Sequence, residues 1–172
     1  MLALPAIASA EEDGDRSSSK VRLMGNSGLG SPVGLMGGTF TYAPVPEMQF
    51  EIGSGIGFSG LQFSLMPKLS IGQARDRLVF GVGPSVGIIQ NPNPSQWCVS
   101  LWLNAEAGYE FRSVGGFSFL IAAGVLKGLA GKMQGIDGPV FEDHPDDRPV
   151  PPEEVASFPI LPEGRIAFGR WF

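Results

Sequence analysis

The stretch WCVSLWLNAEAGYEFR, residues 97–112, decides the fold class of this chain. Its odd positions carry apolar or aromatic side chains such as Leu103 and Tyr109, and most of its even positions are small, polar or charged, such as Asn104 and Glu110. This period of two residues is the spacing of a β-strand and not of a helix. Soluble strands usually have about five or six residues, and a strand that crosses a bilayer needs about nine to eleven. The length therefore favours a strand that crosses a membrane.

The same alternation recurs along most of the chain. In each segment one face is apolar, and the other is dominated by glycine, serine and other small or polar residues. These patterns predict eight strands, of which the first is the weakest, in residues 20–25, 33–42, 49–58, 61–71, 77–88, 97–112, 117–126 and 164–172.

The composition separates two kinds of barrel. Charged residues make up only 17% of the chain, hydrophobic residues make up 43%, and there are 25 glycines. A soluble ligand-binding barrel turns its apolar face inward, which here would leave an outer face of glycine and serine with little charge. A membrane barrel turns its apolar face to lipid. The sequence therefore predicts an all-β fold, a closed antiparallel up-and-down transmembrane β-barrel of about eight strands.

The N-terminal sequence is typical of export. Residues 1–10, MLALPAIASA, combine a short apolar run with a small-residue cleavage pattern, and we interpret them as a partial signal peptide. Residues 11–19 are expected to be a disordered segment, and the barrel is expected to occupy residues 20–172. No window has the roughly 18 consecutive apolar residues of a transmembrane helix, so only a closed barrel could span a membrane. The single cysteine, Cys98, excludes an internal disulfide.

The C-terminal sequence GRIAFGRWF, residues 164–172, carries a further signal. With the alternating strands and short turns, it resembles the small eight-stranded outer-membrane β-barrels of Gram-negative bacteria. The resemblance covers nearly the whole chain after Ala10. It implies that the terminal Phe172 is the signal read by the barrel assembly machinery. Arg170 departs from the pattern, because these barrels usually have an apolar or aromatic residue there.

This resemblance implies a topology in which the last strand ends in the periplasm. The chain then has short inner turns at 43–47, 73–76 and 113–116, and outer loops at 26–31, 59–60, 90–95 and 133–162. The strand number is even and the longest loop lies outside, as in bacterial barrels. Aromatic residues gather near the strand ends and predict girdles at the two membrane interfaces; they are Tyr42, Phe50, Phe80, Trp97, Tyr109, Phe111, Phe117 and Phe172.

Several charged residues fall on the predicted inner face. They are Arg22, Glu51, Lys68, Arg77, Glu106, Glu110 and Arg165. Opposite charges in a narrow lumen would pair and fill it, which predicts a closed structural barrel. The alternative is a gated pore. Pro67 and Pro84 lie inside predicted strands and remove ladder hydrogen bonds, so we expect β-bulges at these positions.

The outer loop 133–162 is rich in prolines and acids and has no alternation. An acidic cluster with one histidine, formed by Asp143, His144, Asp146 and Asp147, is a weak candidate for a divalent cation. The alternative is a solvated acidic loop, since the spacing matches no defined site. His144 is the only histidine and has no partner fixed on a strand, so the sequence predicts no catalytic site and no enzyme.

The sequence thus predicts a non-enzymatic outer-membrane barrel without a cofactor, in a structural or surface-interaction role. Its expected partners are outer-membrane lipid, the assembly machinery and a surface partner at residues 135–162. No basic stripe with interleaved aromatics is present, so no nucleic acid is expected. The alternatives are a narrow small-solute pore and a soluble periplasmic ligand-binding barrel.

Overall fold

The computed structural model of the chain describes residues 20–58, 60–72, 75–90, 97–131 and 160–172. They form one closed barrel in which each strand pairs with the next and β8 pairs with β1, all antiparallel. The predicted eight-stranded up-and-down barrel is confirmed. The strands are β1 (Val21–Leu29), β2 (Met36–Val45), β3 (Met48–Gly57), β4 (Gly60–Gly72), β5 (Asp76–Gln90), β6 (Trp97–Arg112), β7 (Phe117–Gly131) and β8 (Ile160–Trp171). None of the described residues forms a helix of the length and apolarity needed to cross a membrane.

The two ends of the barrel differ. At the turn end, residues 46–47, 73–75 and 113–116 join the strands, and β1 begins and β8 ends. At the loop end, the strands are joined by residues 30–35, 58–59, 91–96 and 132–159. We use the names turn end and loop end for these two ends throughout.

The alternation seen in the sequence sets which side chains point into the barrel. In β6, Leu103 is 39% exposed on the outer surface, and its neighbour Asn104 is 1% exposed in the lumen. The same division holds along the other strands, so that the outer surface is apolar and most inward side chains are polar or small. A soluble globular domain has the opposite arrangement.

Several strand boundaries differ from the prediction; β7, for example, continues to Gly131, five residues beyond its predicted end. β1 continues through Leu29, although residues 26–31 were expected to be a loop. β2 runs three residues later than predicted, because Val33 belongs to a connection that folds into the lumen and is fully buried. β8 begins at Ile160, so the expected outer loop 133–162 ends too late: residues 160–162 pair with β7. The sequence of residues 160–163 has no period of two, which hid this part of the strand.

The expectation of bulges at Pro67 and Pro84 was wrong. Pairing between β4 and β5 stops after Ser64, resumes at Lys68, and has the same register on both sides of the gap. Pro67 lies in this interval of β4, and Pro84 lies in the matching interval of β5. The two missing N–H donors therefore fall on one short stretch of one ladder, and no extra residue is needed. Both prolines keep their strand partners on the other side.

Candidate functional site in the barrel interior

The structure places six of the seven predicted inner charges in the lumen, each no more than 6% exposed. They are Arg22, Glu51, Lys68, Glu106, Glu110 and Arg165. The seventh, Arg77, is half-buried at the turn end, where its Nη1 donates a hydrogen bond of 2.6 Å to the Pro46 carbonyl. Arg77 lies on the predicted face but does not join the ion-pair network described below.

Four of these residues form a central cluster, which we define as Glu51, Lys68, Glu106 and Arg165. Lys68 Nζ lies 2.8 Å from both Glu51 Oε1 and Glu106 Oε1. Arg165 approaches the same two oxygens, with Nη1 2.9 Å from Glu51 and Nη2 2.7 Å from Glu106. The four side chains come from β3, β4, β6 and β8, so the cluster connects opposite walls of the barrel. Two cations between two carboxylates make this group electrically neutral.

A second group, the turn cluster, is centred on Glu110. Its carboxylate accepts hydrogen bonds from Arg22 Nη1 at 2.6 Å, Arg112 Nε at 2.8 Å, Ser118 Oγ at 2.9 Å and Trp171 Nε1 at 3.0 Å. The Trp171 ring also contacts two guanidinium groups, with Arg22 Cζ 4.9 Å and Arg112 Cζ 3.9 Å from its centre. Arg112 Nη2 and Gln49 Nε2 donate to the other oxygen, Glu110 Oε2, at 3.2 and 3.5 Å, so this carboxylate is well satisfied despite its burial.

The two clusters are linked through Arg22. Its Nη2 lies 3.5 Å from Glu51 Oε2 and donates to Thr41 Oγ1 at 3.2 Å and to Gln49 Oε1 at 3.3 Å. Gln49 in turn donates to Ser70 Oγ at 2.6 Å. Fixed ion pairs and hydrogen bonds therefore fill the barrel from its turn end to its centre.

Sequence reasoning missed Arg112 and Trp171 as members of the turn cluster. The signal was present, because Arg112 continues the even face of β6 and Trp171 is six residues from Arg165 on β8. Trp171 is inward and Arg170 is outward, where its guanidinium lies 5.8 Å from the centre of the Phe172 ring. Arg170, which departs from the pattern expected for outer-membrane barrels, therefore does not disturb the register of β8.

The half of the lumen towards the loop end is filled differently. Residues 31–34, which we call the inward segment, fold into the barrel and are buried. Ser31 Oγ donates to the Gly34 carbonyl at 2.6 Å, and Gly34 N donates to the Ser31 carbonyl at 2.8 Å. Gly34 has a φ of 84°, which a residue with a side chain rarely adopts. Leu35 N then donates to the Ile56 carbonyl at 2.8 Å, which holds the segment against β3.

Three inward glycines of β3 make room for this segment. A Cβ on Gly53 would meet Val33 Cγ1, and a Cβ on Gly55 would meet the backbone carbonyl oxygens of Val33 and Met36. A Cβ on Gly57 would lie 2.8 Å from Gly34 Cα. The glycines on the inner face of β3 therefore leave room for the backbone of the inward segment, and they do not leave an open channel.

Glu163 is a buried charge that the sequence analysis assigned to no site. It faces the lumen from β8, is 7% exposed, and neither of its carboxylate oxygens has a hydrogen-bond partner. Its strand partner in β7 is Gly124, whose other partner is Glu106 in β6. The lack of alternation around residue 163 concealed its inward position.

The predicted girdle residues lie on the outer surface wherever the structure describes their side chains. Seven of them, with exposures between 39% and 61%, are near the turn end: Tyr42, Phe50, Phe80, Tyr109, Phe111, Phe117 and Phe172. Trp97 is the first residue of β6, at the loop end.

The weak metal candidate Asp143, His144, Asp146 and Asp147 lies outside the described residues, as do residues 1–19 and 133–159. Within the described ranges, no group of three or more histidine, cysteine, aspartate or glutamate residues could hold a metal ion. No known family model matches this chain, and neither a curated protein nor a solved structure is significantly similar to it.

Proposed function

We propose that this chain is a non-enzymatic, lipid-embedded barrel of the bacterial outer membrane that acts through its surface loops and does not conduct solutes. The observation that carries the proposal is the reversed polarity of the barrel. Large apolar residues are exposed around the outside, and arginine, lysine and glutamate are buried within. In water, this exposed apolar surface would drive association, whereas in a bilayer it meets hydrocarbon. The same observation disfavours a soluble ligand-binding barrel.

The height of the apolar surface matches a bilayer. On β7 the outward residues are apolar from Phe117 through Ile121 to Val125, and the next one is Lys127. Ten residues at about 3.3 Å each, in a strand tilted by about 40°, rise about 25 Å. This is the usual height of the lipid-facing band in such barrels.

The filled lumen supports a closed barrel over a pore. We call the part of the lumen towards the turn end the turn half and the part towards the loop end the loop half. Ion pairs of 2.6–2.9 Å connect strands across the turn half, and the inward segment occupies the loop half. Passage of a solute would require breaking buried charge pairs, which is expensive. A small-solute pore remains the second candidate, because the loop half is lined by glycine and serine.

In this proposal the turn end faces the periplasm, and the loop end presents residues 91–96 and 132–159 at the cell surface. We assign the partner surface to the acidic, proline-rich stretch 135–159, in line with the general role of long loops on rigid scaffolds. At the other end, the Phe172 ring is 61% exposed, and Phe172 N donates to the Val21 carbonyl at 2.8 Å. An exposed terminal aromatic fits recognition by the assembly machinery.

Cell fractionation tests the location. We expect the protein in the outer-membrane fraction, released only by detergent, and recovery from the soluble periplasm would contradict the proposal.

Ile121→Arg should impair folding into lipid vesicles by about 2–4 kcal/mol, because Ile121 lies near the middle of the apolar band. Lys127→Arg is the matched control and should fold like the unmodified protein.

Planar-bilayer recordings separate the two functional candidates. The purified barrel should give no steady single-channel steps. Reproducible steps that persist after removal of contaminating porins would favour the pore.

A further inference from the structure

Among the described residues of the interior, one carboxylate lacks a counter-charge. The buried carboxylates Glu51, Glu106 and Glu110 each form an ion pair with an arginine or lysine. Glu163 forms none, although it is 93% buried. An isolated buried carboxylate is strongly unfavourable, so the site must supply a positive charge or a proton.

A second carboxylate oxygen without a hydrogen-bond partner, Glu106 Oε2, lies next to Glu163. Lys68 and Arg165 both approach Glu106 through Oε1, and Glu106 Oε2 is buried without a hydrogen-bond partner. Gly124 lies between Glu106 and Glu163 in the strand order. A Cβ on Gly124 would be 2.7 Å from Glu163 Oε1 and 2.8 Å from Glu106 Cα, so the Glu163 carboxylate extends over this glycine towards Glu106.

On the loop side, Glu163 lies close to Gly30, which also approaches the Leu126 side chain and the Pro162 carbonyl oxygen. A Cβ on Gly30 would lie 2.7 Å from Leu126 Cδ2 and 3.4 Å from Glu163 Cβ. In the described part of the chain, the inward residues of β1 and β7 nearest to Glu163 are Gly28, Gly124 and Leu126, and none of them is titratable. The charged residues that face the site are Glu106 from β6, Lys68 from β4 and Arg165 from β8 itself.

Charge accounting limits the ligand to a single positive charge. Arg22 pairs with Glu51 and Glu110, and Lys68 and Arg165 pair with Glu51 and Glu106. The negative charge left without a partner is therefore the single charge of Glu163. A monovalent cation restores neutrality, and a divalent ion would create an excess positive charge beside Lys68 and Arg165. Carboxylate oxygens are hard ligands that accept either a proton or a small alkali cation.

We propose that Glu163 and Glu106 together hold one small monovalent cation, a proton or a sodium ion, in the loop half of the barrel. Both sources neutralise the same pair of carboxylates. The bound charge keeps Glu163 buried beneath the connection between β1 and β2. Its loss leaves an unpaired charge there and destabilises the folded barrel.

The test uses the full chain refolded in detergent micelles, with urea unfolding followed by the heat-modifiable gel shift. Unfolding is measured from pH 5 to 9, in sodium chloride and in choline chloride of equal ionic strength. Three proteins are compared: the unmodified chain, Glu163→Gln, which imitates the protonated acid, and Glu47→Gln as a control in an exposed turn.

If the ligand is a proton, the folded state retains it after the unfolded chain has released it. The folding equilibrium constant of the unmodified protein then falls as pH rises above the ordinary range of glutamate titration, by at most about tenfold per pH unit. Replacing sodium chloride with choline chloride makes no difference in this case. The folding equilibrium constant of Glu163→Gln does not show the fall with rising pH. If the ligand is sodium, the unmodified protein at high pH is more stable in sodium than in choline, and Glu163→Gln is indifferent to the salt.

The proposal is overturned if the unmodified protein and Glu163→Gln have the same pH profile and neither distinguishes sodium from choline. Should Glu163→Gln fail to fold, infrared spectra of the unmodified protein decide the question. A carbonyl stretch of a buried carboxylic acid at neutral pH in choline supports the proton. Absence of that band, together with no effect of sodium on stability, overturns the proposal.

Discussion

The two halves of the lumen are filled by different means, although the strands that form them have the same alternating pattern. The turn half contains large charged side chains, and the turn and central clusters satisfy nearly all of them. The loop half is lined largely by glycine and serine, and the backbone of residues 31–34 fills much of it. Inward residues can thus fill a barrel themselves or leave space for another part of the chain.

The largest expected effect is in the turn half. Glu110→Ala removes the common acceptor of Arg22, Arg112 and Trp171, and it leaves the buried Arg22 and the half-buried Arg112 guanidinium groups short of a counter-charge. Removing one partner of a buried ion pair typically destabilises a protein by about 3–5 kcal/mol. Urea unfolding in detergent should show a decrease of this size in the free energy of unfolding.

Glu47→Ala provides the control for this variant, because Glu47 lies in an exposed turn at the same end of the barrel. Its effect should stay within about 0.5 kcal/mol. A loss below 1 kcal/mol for Glu110→Ala would mean that the turn half is solvated and that the two halves do not differ as described.

An intermediate effect is expected in the loop half. Gly55→Ala places a methyl group against backbone carbonyl oxygens of Val33 and Met36, and Gly53→Ala places one against the Val33 side chain. Overpacking of this kind costs about 1–3 kcal/mol. Val33→Ala should partly rescue Gly53→Ala, because it removes the nearest obstructing atom and leaves Ser64 Oγ at 2.8 Å, but it should not rescue Gly55→Ala.

Unfolding of the single and double variants measures this difference as a coupling energy. Equal rescue of both glycine variants, or no destabilisation by either, would show that the inward segment does not pack on β3 as described.

The smallest difference is predicted between two tryptophans. Trp171 Nε1 donates to the ionised Glu110 carboxylate in the turn half, and Trp102 Nε1 donates to the Ser100 hydroxyl at 3.0 Å near the loop end. Hydrogen bonds to charged groups contribute about 1.5–3 kcal/mol, and neutral ones about 0.5–1.5 kcal/mol. Trp171→Phe should therefore lower the free energy of unfolding by about 1 kcal/mol more than Trp102→Phe. A reversed order in the same urea titration would contradict the assignment of the stronger network to the turn half.

The strand alternation was the most informative feature of the sequence, and it failed where the chain departs from it. Residues 97–112 were predicted and found as one strand, because nearly all of its positions obey the period of two; the inward Trp102 is an exception. Val33 was predicted to lie in a strand, but it folds into the lumen, since its apolar side chain fits a strand and a buried connection equally well. The proline positions were read correctly as missing donors, but only the pairing of β4 with β5 revealed that both gaps coincide.

The sequence by itself determined the fold class and the face on which each regular strand residue lies, because successive side chains of a strand point to opposite sides. It could not determine which inward charges pair. Glu51 and Arg165 are far apart in the chain and meet only because the barrel closes and its strands are staggered. Likewise, only the closed structure shows that Glu163 lacks a partner while Glu110 has several. The neutralisation of a buried charge depends on its neighbours across the lumen, and local sequence does not contain them.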